Sequence, residues 1–256
     1  MILAISQDAA SVSIAVGSNG SFTADDLLDY TFDTIYASST VSLNFFIDLD
    51  AQNTTYVGIA GHNLGTIGAS IDILNHDTVD VASFAPVDDR PIMLEIPART
   101  GGAVNKVRIR IVKQNATDVA IVSHTATGLT TDFTSTTTNG QIITKDYSAG
   151  YPRIPMNRAR KSKAILNDAA APTATLIKTI SQKVRLNIPD VATNFAQDEL
   201  LEYQTFWTEN AFFIQNDDDY LQTYMAMQFI PIAPSSHSST RELVNLSYSF
   251  TAYNGL

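Results

Sequence analysis

Apolar side chains recur at every second position through much of these 256 residues, and that period fits few folds other than packed β-sheet. In Val41-Ser42-Leu43-Asn44-Phe45-Phe46-Ile47-Asp48-Leu49, the side chains of Val41, Leu43, Phe45, Ile47 and Leu49 share one face of an extended strand. From Lys106 to Val112 the pattern repeats, with Val107, Ile109 and Ile111 on one side and Lys106, Arg108 and Arg110 on the other. Residues 55–60, 69–74, 91–96 and 119–122 are further strand candidates. Charged residues make up only 16%, and much of the remaining polarity is Thr and Ser, which suit half-buried pleated surfaces. Short strands separated by turn signals, with few helix candidates, predict a mainly β chain that begins with an antiparallel, jelly-roll-like β-sandwich.

The pattern breaks and returns. From Thr125 to Gly140 there is Thr, Ser, Asn and Gly with little to bury, which reads as a loop or domain boundary. Residues 142–171 are irregular, with Pro152, Pro155 and the basic run Arg158-Ala159-Arg160-Lys161-Ser162-Lys163. Strand patterning resumes at 183–188, where Pro189 is expected to stop it, and again at 223–232 and 243–251. A helix is expected near 195–208, capped by Thr193 or Asn194, with Asp198 and Glu199 in its early turns. Leu200, Tyr203, Phe206 and Trp207 share a face of it, so the single Trp should pin the helix to a sheet. The division read from this is 1–130, the sandwich; 131–175, a linker or extended basic segment; and 176–256, a second β-rich region with one packed helix.

Charge is unevenly placed. Residues 1–89 contain twelve acids, from Asp8 to Asp89, and no Lys or Arg. The rest carries all 16 basic residues against 14 acids (26 minus 12). Such an acidic half repels nucleic acid, whose binding needs phosphates neutralised. It suits head-to-tail contact between copies, acidic surface against basic. A merely soluble acidic surface explains the same counts equally well. Without cysteine there is no disulfide and no Cys-based zinc site. The first residues lack a basic leader and a sustained apolar run, and no stretch nears the roughly 20 apolar residues of a membrane span. The expectation is a chain made in a cytosol that does not enter a membrane.

No motif announces catalysis. The four histidines, His62, His76, His124 and His237, are scattered, and GxSxG, P-loop and GxGxxG patterns are absent. The chain is therefore expected to be no enzyme and to hold no cofactor. Asp217-Asp218-Asp219 offers oxygens for a structural Ca²⁺ but lacks EF-hand spacing, so a solvated turn is the preferred reading. Asp25, Asp26, Asp29 and Asp33 offer oxygens too, and read better as the outer side of a short helical turn around Leu27 and Leu28. His62 and Asn63 stand in the Gly-rich stretch Gly61-His62-Asn63-Leu64-Gly65. Either Asn63 closes the turn through backbone groups with His62 packed against it, or the two line a ligand or partner surface. Arg158, Arg160, Lys161 and Lys163 are candidate assembly contacts for an acidic neighbour; the alternative is a solvated loop.

Two stretches resemble known proteins. Leu43 to Leu49, then Tyr56-Val57-Gly58-Ile59-Ala60-Gly61-His62-Asn63-Leu64-Gly65 and a strand at 69–74, resemble the start of galactose-binding-like jelly rolls of phage tail and other virion proteins. Phe206-Trp207-Thr208-Glu209-Asn210-Ala211-Phe212-Phe213-Ile214, then Tyr224 to Ile230 and a closing strand, look like the end of minor or distal tail proteins. Ala211 stands where that pattern has Pro. The resemblance covers about a third of the chain and implies a structural component of a tailed-phage virion, in contact with other virion proteins and with copies of itself. A carbohydrate-binding, receptor-binding module of a tail, with a glycan partner, is the alternative, and a capsid decoration protein the next.

Overall fold

The computed structural model describes residues 2–4, 11–14, 27–28, 36–38, 43–51, 54–75, 80–97, 106–132, 157–166, 172–192, 200–215, 223–236 and 243–253. The chain is mainly β, with antiparallel sheets and one α-helix among the described residues. Five strands form one sheet in the order β2 (Ser11–Ile14), β4 (Asn44–Asp50), β9 (Lys106–Val112), β6 (Ser70–Asn75) and β7 (Asp80–Phe84). Three form another, β11 (His124–Gly128), β5 (Tyr56–Ala60) and β8 (Ile92–Glu95). A short pair joins β3 (Tyr36–Ser38) to β10 (Ala120–Val122).

The period-two apolar pattern explains why the first two sheets pack face to face. Phe45, Ile47 and Leu49 of β4, Ile71 and Ile73 of β6, and Val107, Ile109 and Ile111 of β9 share one core with Val57, Ile59 and Ile92 from the three-stranded sheet. Leu27 is buried in the same core. Each such side chain contributes about 1.5–3 kcal/mol when fully buried. The opposite parity carries charge. Asp48 lies across from Arg108 in the register and accepts from its guanidinium at 2.6 and 2.8 Å. Asp72, across from Arg110, accepts at 2.8 Å and also takes the Ser83 hydroxyl at 2.7 Å. Arg108 further sits 5.2 Å from the Phe46 ring centre.

A larger sheet of seven strands runs β12 (Thr130–Asp132), β1 (Ile2–Ala4), β15 (Phe212–Gln215), β16 (Thr223–Ser236), β17 (Leu243–Tyr253), β14 (Pro172–Ala192) and β13 (Asn157–Leu166). Strands from the beginning, middle and end of the chain thus share it. Helix α1 (Leu200–Glu209) precedes β15. Trp207 is buried on this helix, stacked on Phe212 at 5.5 Å and close to Tyr203 at 6.1 Å. Phe212 in turn meets Phe250 of β17, so the aromatic face does fasten the helix to the sheet. Residues 193–199, with the expected cap and early acids, lie outside the described residues.

Phe213 joins the two halves. Its ring stacks on His124 at 6.0 Å and tilts against Tyr56 at 6.4 Å. A Cβ on Gly58 would come within 2.5 Å of that ring, so glycine makes the space it fills. All five residues of β5 and all five of β11 are buried. One face of the three-stranded sheet packs in the sandwich core, and Phe213 packs against Tyr56 and Gly58 of β5 and His124 of β11.

Four expectations are corrected. The Thr-rich stretch after Thr125 holds two strands, because hydroxyls can satisfy themselves on the main chain: Thr127 Oγ1 donates to the Tyr56 carbonyl at 2.7 Å. Pro189 does not end its strand; β14 passes through it with a register shift between Ile188 and Val191, where a missing N–H is tolerated. The run Arg158 to Lys163 stands on strand β13 rather than in a loop. Leu43 lies just before β4 and is 47% exposed, although its carbonyl still accepts from the Lys113 N–H at 2.8 Å.

Candidate functional site

The registers gather several loops at one end of the sandwich. Ile59 pairs with Ile92, Ala60 with His124, Ile71 with Phe84, and Val112 with both Asn44 and Ser70. The turn 61–68, the loop 85–91, the loop 113–119 and Leu43 therefore lie together. Three of the four exposed large hydrophobics among the described residues, Leu43, Val87 and Val119, belong to this end; Leu129 lies at the other.

Sequence-local rules shape the turn. Gly61 and Gly68 adopt φ of 62° and 60°, which favours glycine. At Gly65 a Cβ would lie 2.3 Å from the main chain of Asp88, so the turn and the loop 85–91 touch backbone to backbone. Thr66 adds its N–H at 2.9 Å and its hydroxyl at 2.6 Å to the Asp89 carboxylate.

His62 locks the same two segments. Its Nε2–H donates to the Arg90 carbonyl at 2.6 Å, and its Nδ1 accepts the Leu64 N–H at 3.3 Å. Burial pushes its pKa down to about 4, against the opposing pull of the Arg90 carbonyl and of Asp89 and Asp88. Arg90 pairs with Asp88 at 3.1 Å. Tyr253, at the end of β17, has its pKa raised by burial and then by the charge of Asp89.

Asn63 ties the turn to a third segment. Its Nδ2 donates to the Val119 carbonyl at 2.9 Å and its Oδ1 accepts the Ile121 N–H at 2.8 Å. Both ends of the amide thus serve backbone groups far along the chain, not those of its own turn. Lys113 is 2% exposed, and its ammonium donates to the carbonyls of Ala116 at 3.0 Å and Asp118 at 2.8 Å. Reading the sequence for chemistry overlooked it. The available signal was parity: after Val107, Ile109 and Ile111 the next inward position is Lys113, and a buried cation there needs acceptors.

His62 and Asn63 are therefore brought into one interlocked end. Arg158, Arg160, Lys161 and Lys163 stand elsewhere, on β13 at the edge of the seven-stranded sheet. Asp217 to Asp219 and Asp25, Asp26, Asp29 and Asp33 lie outside the described residues. Among the described residues no three His, Asp or Glu side chains gather as metal ligands do. What the loop end can do chemically is present a rigid surface, with aliphatic side chains among Thr66, Gln114, Asn115 and the Asp88–Arg90 pair.

No protein-family model matches the chain, and no curated protein matches it. Faint likenesses to solved structures exist. The CBM32 of AlyQ in complex with 4,5-unsaturated mannuronic acid has a TM-score of 0.37 at 15% identity, over 47% of this chain and 95% of that one. The lectin domain of lectinolysin complexed with Lewis B antigen has 0.35 at 13% identity, over 46% and 92%. A Ruminococcus gnavus GH29 fucosidase has 0.37 at 14% identity, over 47% of this chain but only 25% of the fucosidase. Likenesses this faint say nothing of ligand or activity.

Proposed function

We propose that this chain is a non-enzymatic structural component of a tailed-phage particle that works by protein–protein contact, with the loop end of the sandwich as a docking surface. One observation carries the reading: the topology brings Leu43, Val87 and Val119 to the end whose loops are held by His62, Asn63 and Lys113. Loops already fixed lose little freedom when a partner binds. Exposed aliphatic groups ringed by polar ones are the composition of a protein interface. The phage assignment is supported by the resemblance of the Tyr56-to-Gly65 strand and turn, which fold here as β5 and the turn 61–68.

A carbohydrate-binding module is the second reading. Its function is the sugar binding described for the solved structures above, and its support in this chain is the polar rim of Thr66, Gln114 and Asn115. Sugars are held by stacking on exposed aromatic rings, and the exposed large hydrophobics described here are aliphatic.

The test is a Val87→Asp, Val119→Asp double variant supplied in place of the wild-type chain during particle production. Loss of the folded variant from purified particles is the expected result. Full incorporation would reject the loop end as the docking surface. Binding of the wild-type chain to a glycan array, lost in the same variant, would install the second reading instead.

A further inference from the structure

The seven-stranded sheet is incomplete at one corner. β13 pairs with β14 from Leu166↔Pro172 to Asn157↔Lys183, while β17 pairs with β14 from Gln182↔Ala252 to Ala192↔Leu243. The two stretches overlap only at Gln182 and Lys183. Among the described residues, β14 before Gln182 thus has β13 on one side and no strand on the other, and β13 is itself the sheet edge. The ten residues of β13 make this two-stranded ribbon about 30 Å long. A lone ribbon is marginal in water, and both its edges offer N–H and C=O groups for pairing.

Its charge is one-sided. Residues 157–185 hold Arg158, Arg160, Lys161, Lys163, Lys178, Lys183 and Arg185 against one acid, Asp168. Lys161 stands opposite Lys178 in the register, so basic residues lie on both strands of the ribbon. The complement lies in the same chain, where residues 1–89 carry twelve acids and no basic residue. Three of these, Asp48, Asp72 and Asp88, are matched by Arg108, Arg110 and Arg90.

We propose that the β13–β14 ribbon is an assembly arm that docks on the acidic N-terminal region of a second copy of this chain. An acidic surface attracts the basic run. The same charges turn away neutral or basic strands that would otherwise add to the open edges. Arm and acidic region are different stretches of the chain, so the contact is head-to-tail and extends to a ring or a filament. Nucleic acid is the rival polyanion, but a chain of net charge −10 repels it at long range. The arm is separate from the loop end, and either can fail without the other.

The test uses the full chain. Sedimentation at roughly 20 mM salt, where exposed charges are little screened, should show self-association that dissolves at high salt. The variant Arg160→Glu, Lys161→Glu, Lys163→Glu should associate at least about tenfold more weakly. Zero-length carbodiimide cross-linking of mixed isotope-labelled and unlabelled wild-type chains needs no variant to fold. It should join Lys161, Lys163 or Lys178 of one copy to acids of residues 1–89 in another. A monomeric wild-type chain, or inter-chain links that never involve the arm, would overturn the proposal. So would a monomer that binds DNA through these residues.

Discussion

His62 donates its Nε2–H to the Arg90 carbonyl at 2.6 Å while its Nδ1 accepts the Leu64 N–H, a pairing that only the neutral imidazole can make. Protonating Nδ1 would set a donor against a donor in a buried site. The folded pKa near 4 lies below the ordinary 6.5, so between these values the unfolded chain binds more protons. The stability His62 contributes is complete above about pH 6.5 and is lost as pH falls towards 4, by at most about 3 kcal/mol. Urea unfolding at pH 7, 5 and 4 checks this, with His62→Gln expected to flatten the part of the slope due to this residue. An equally steep slope in the variant would assign the loss to other groups.

Asn63→Asp keeps the shape of the side chain but turns a donor into an acceptor opposite the Val119 carbonyl. It should cost about 2 kcal/mol. Amide exchange should rise locally, first around Val119, whose carbonyl the carboxylate repels, while the Ile121 N–H keeps its acceptor. Exchange rising equally over the whole chain would mean that the contact is not local.

Lys113→Met keeps the volume and removes the donor to the Ala116 and Asp118 carbonyls. A loss of about 1–3 kcal/mol is expected, as for buried acceptors left without a partner. Limited proteolysis should then cut within 113–119. Unchanged cleavage would show that the loop holds its shape without the ammonium.

Gly58→Ala places a methyl against the Phe213 ring and should destabilise by about 1–3 kcal/mol. Combined with Phe213→Ala, which is costly by itself, the total loss should be smaller than the sum of the two single losses, since the clash needs both groups. Strict additivity in thermal melts would contradict the packing of the C-terminal sheet on β5.

Much of the fold was legible in the sequence because strand periodicity is a local signal. Phe45, Ile47 and Leu49, and Val107, Ile109 and Ile111, face the core as their alternation predicts. Trp207 fastens its helix for the same reason. What was not legible depended on partners far along the chain. Thr125 and Thr127 look like loop residues until β5 lies beside them. Pro189 looks like a stop until the register shifts around it. In the loop end, His62 and Asn63 stood out by their Gly-rich setting, but Arg90, Val119 and Ile121 are linked to them only by the fold. Lys113 could have been found by extending the inward parity of β9 one step.

The most direct test of the contact role in a particle is immunogold electron microscopy, with antibody to this chain on particles purified from the source lysate. Label at one fixed site on every particle is the predicted result. Unlabelled particles beside a strong band for the chain in the soluble lysate would contradict it.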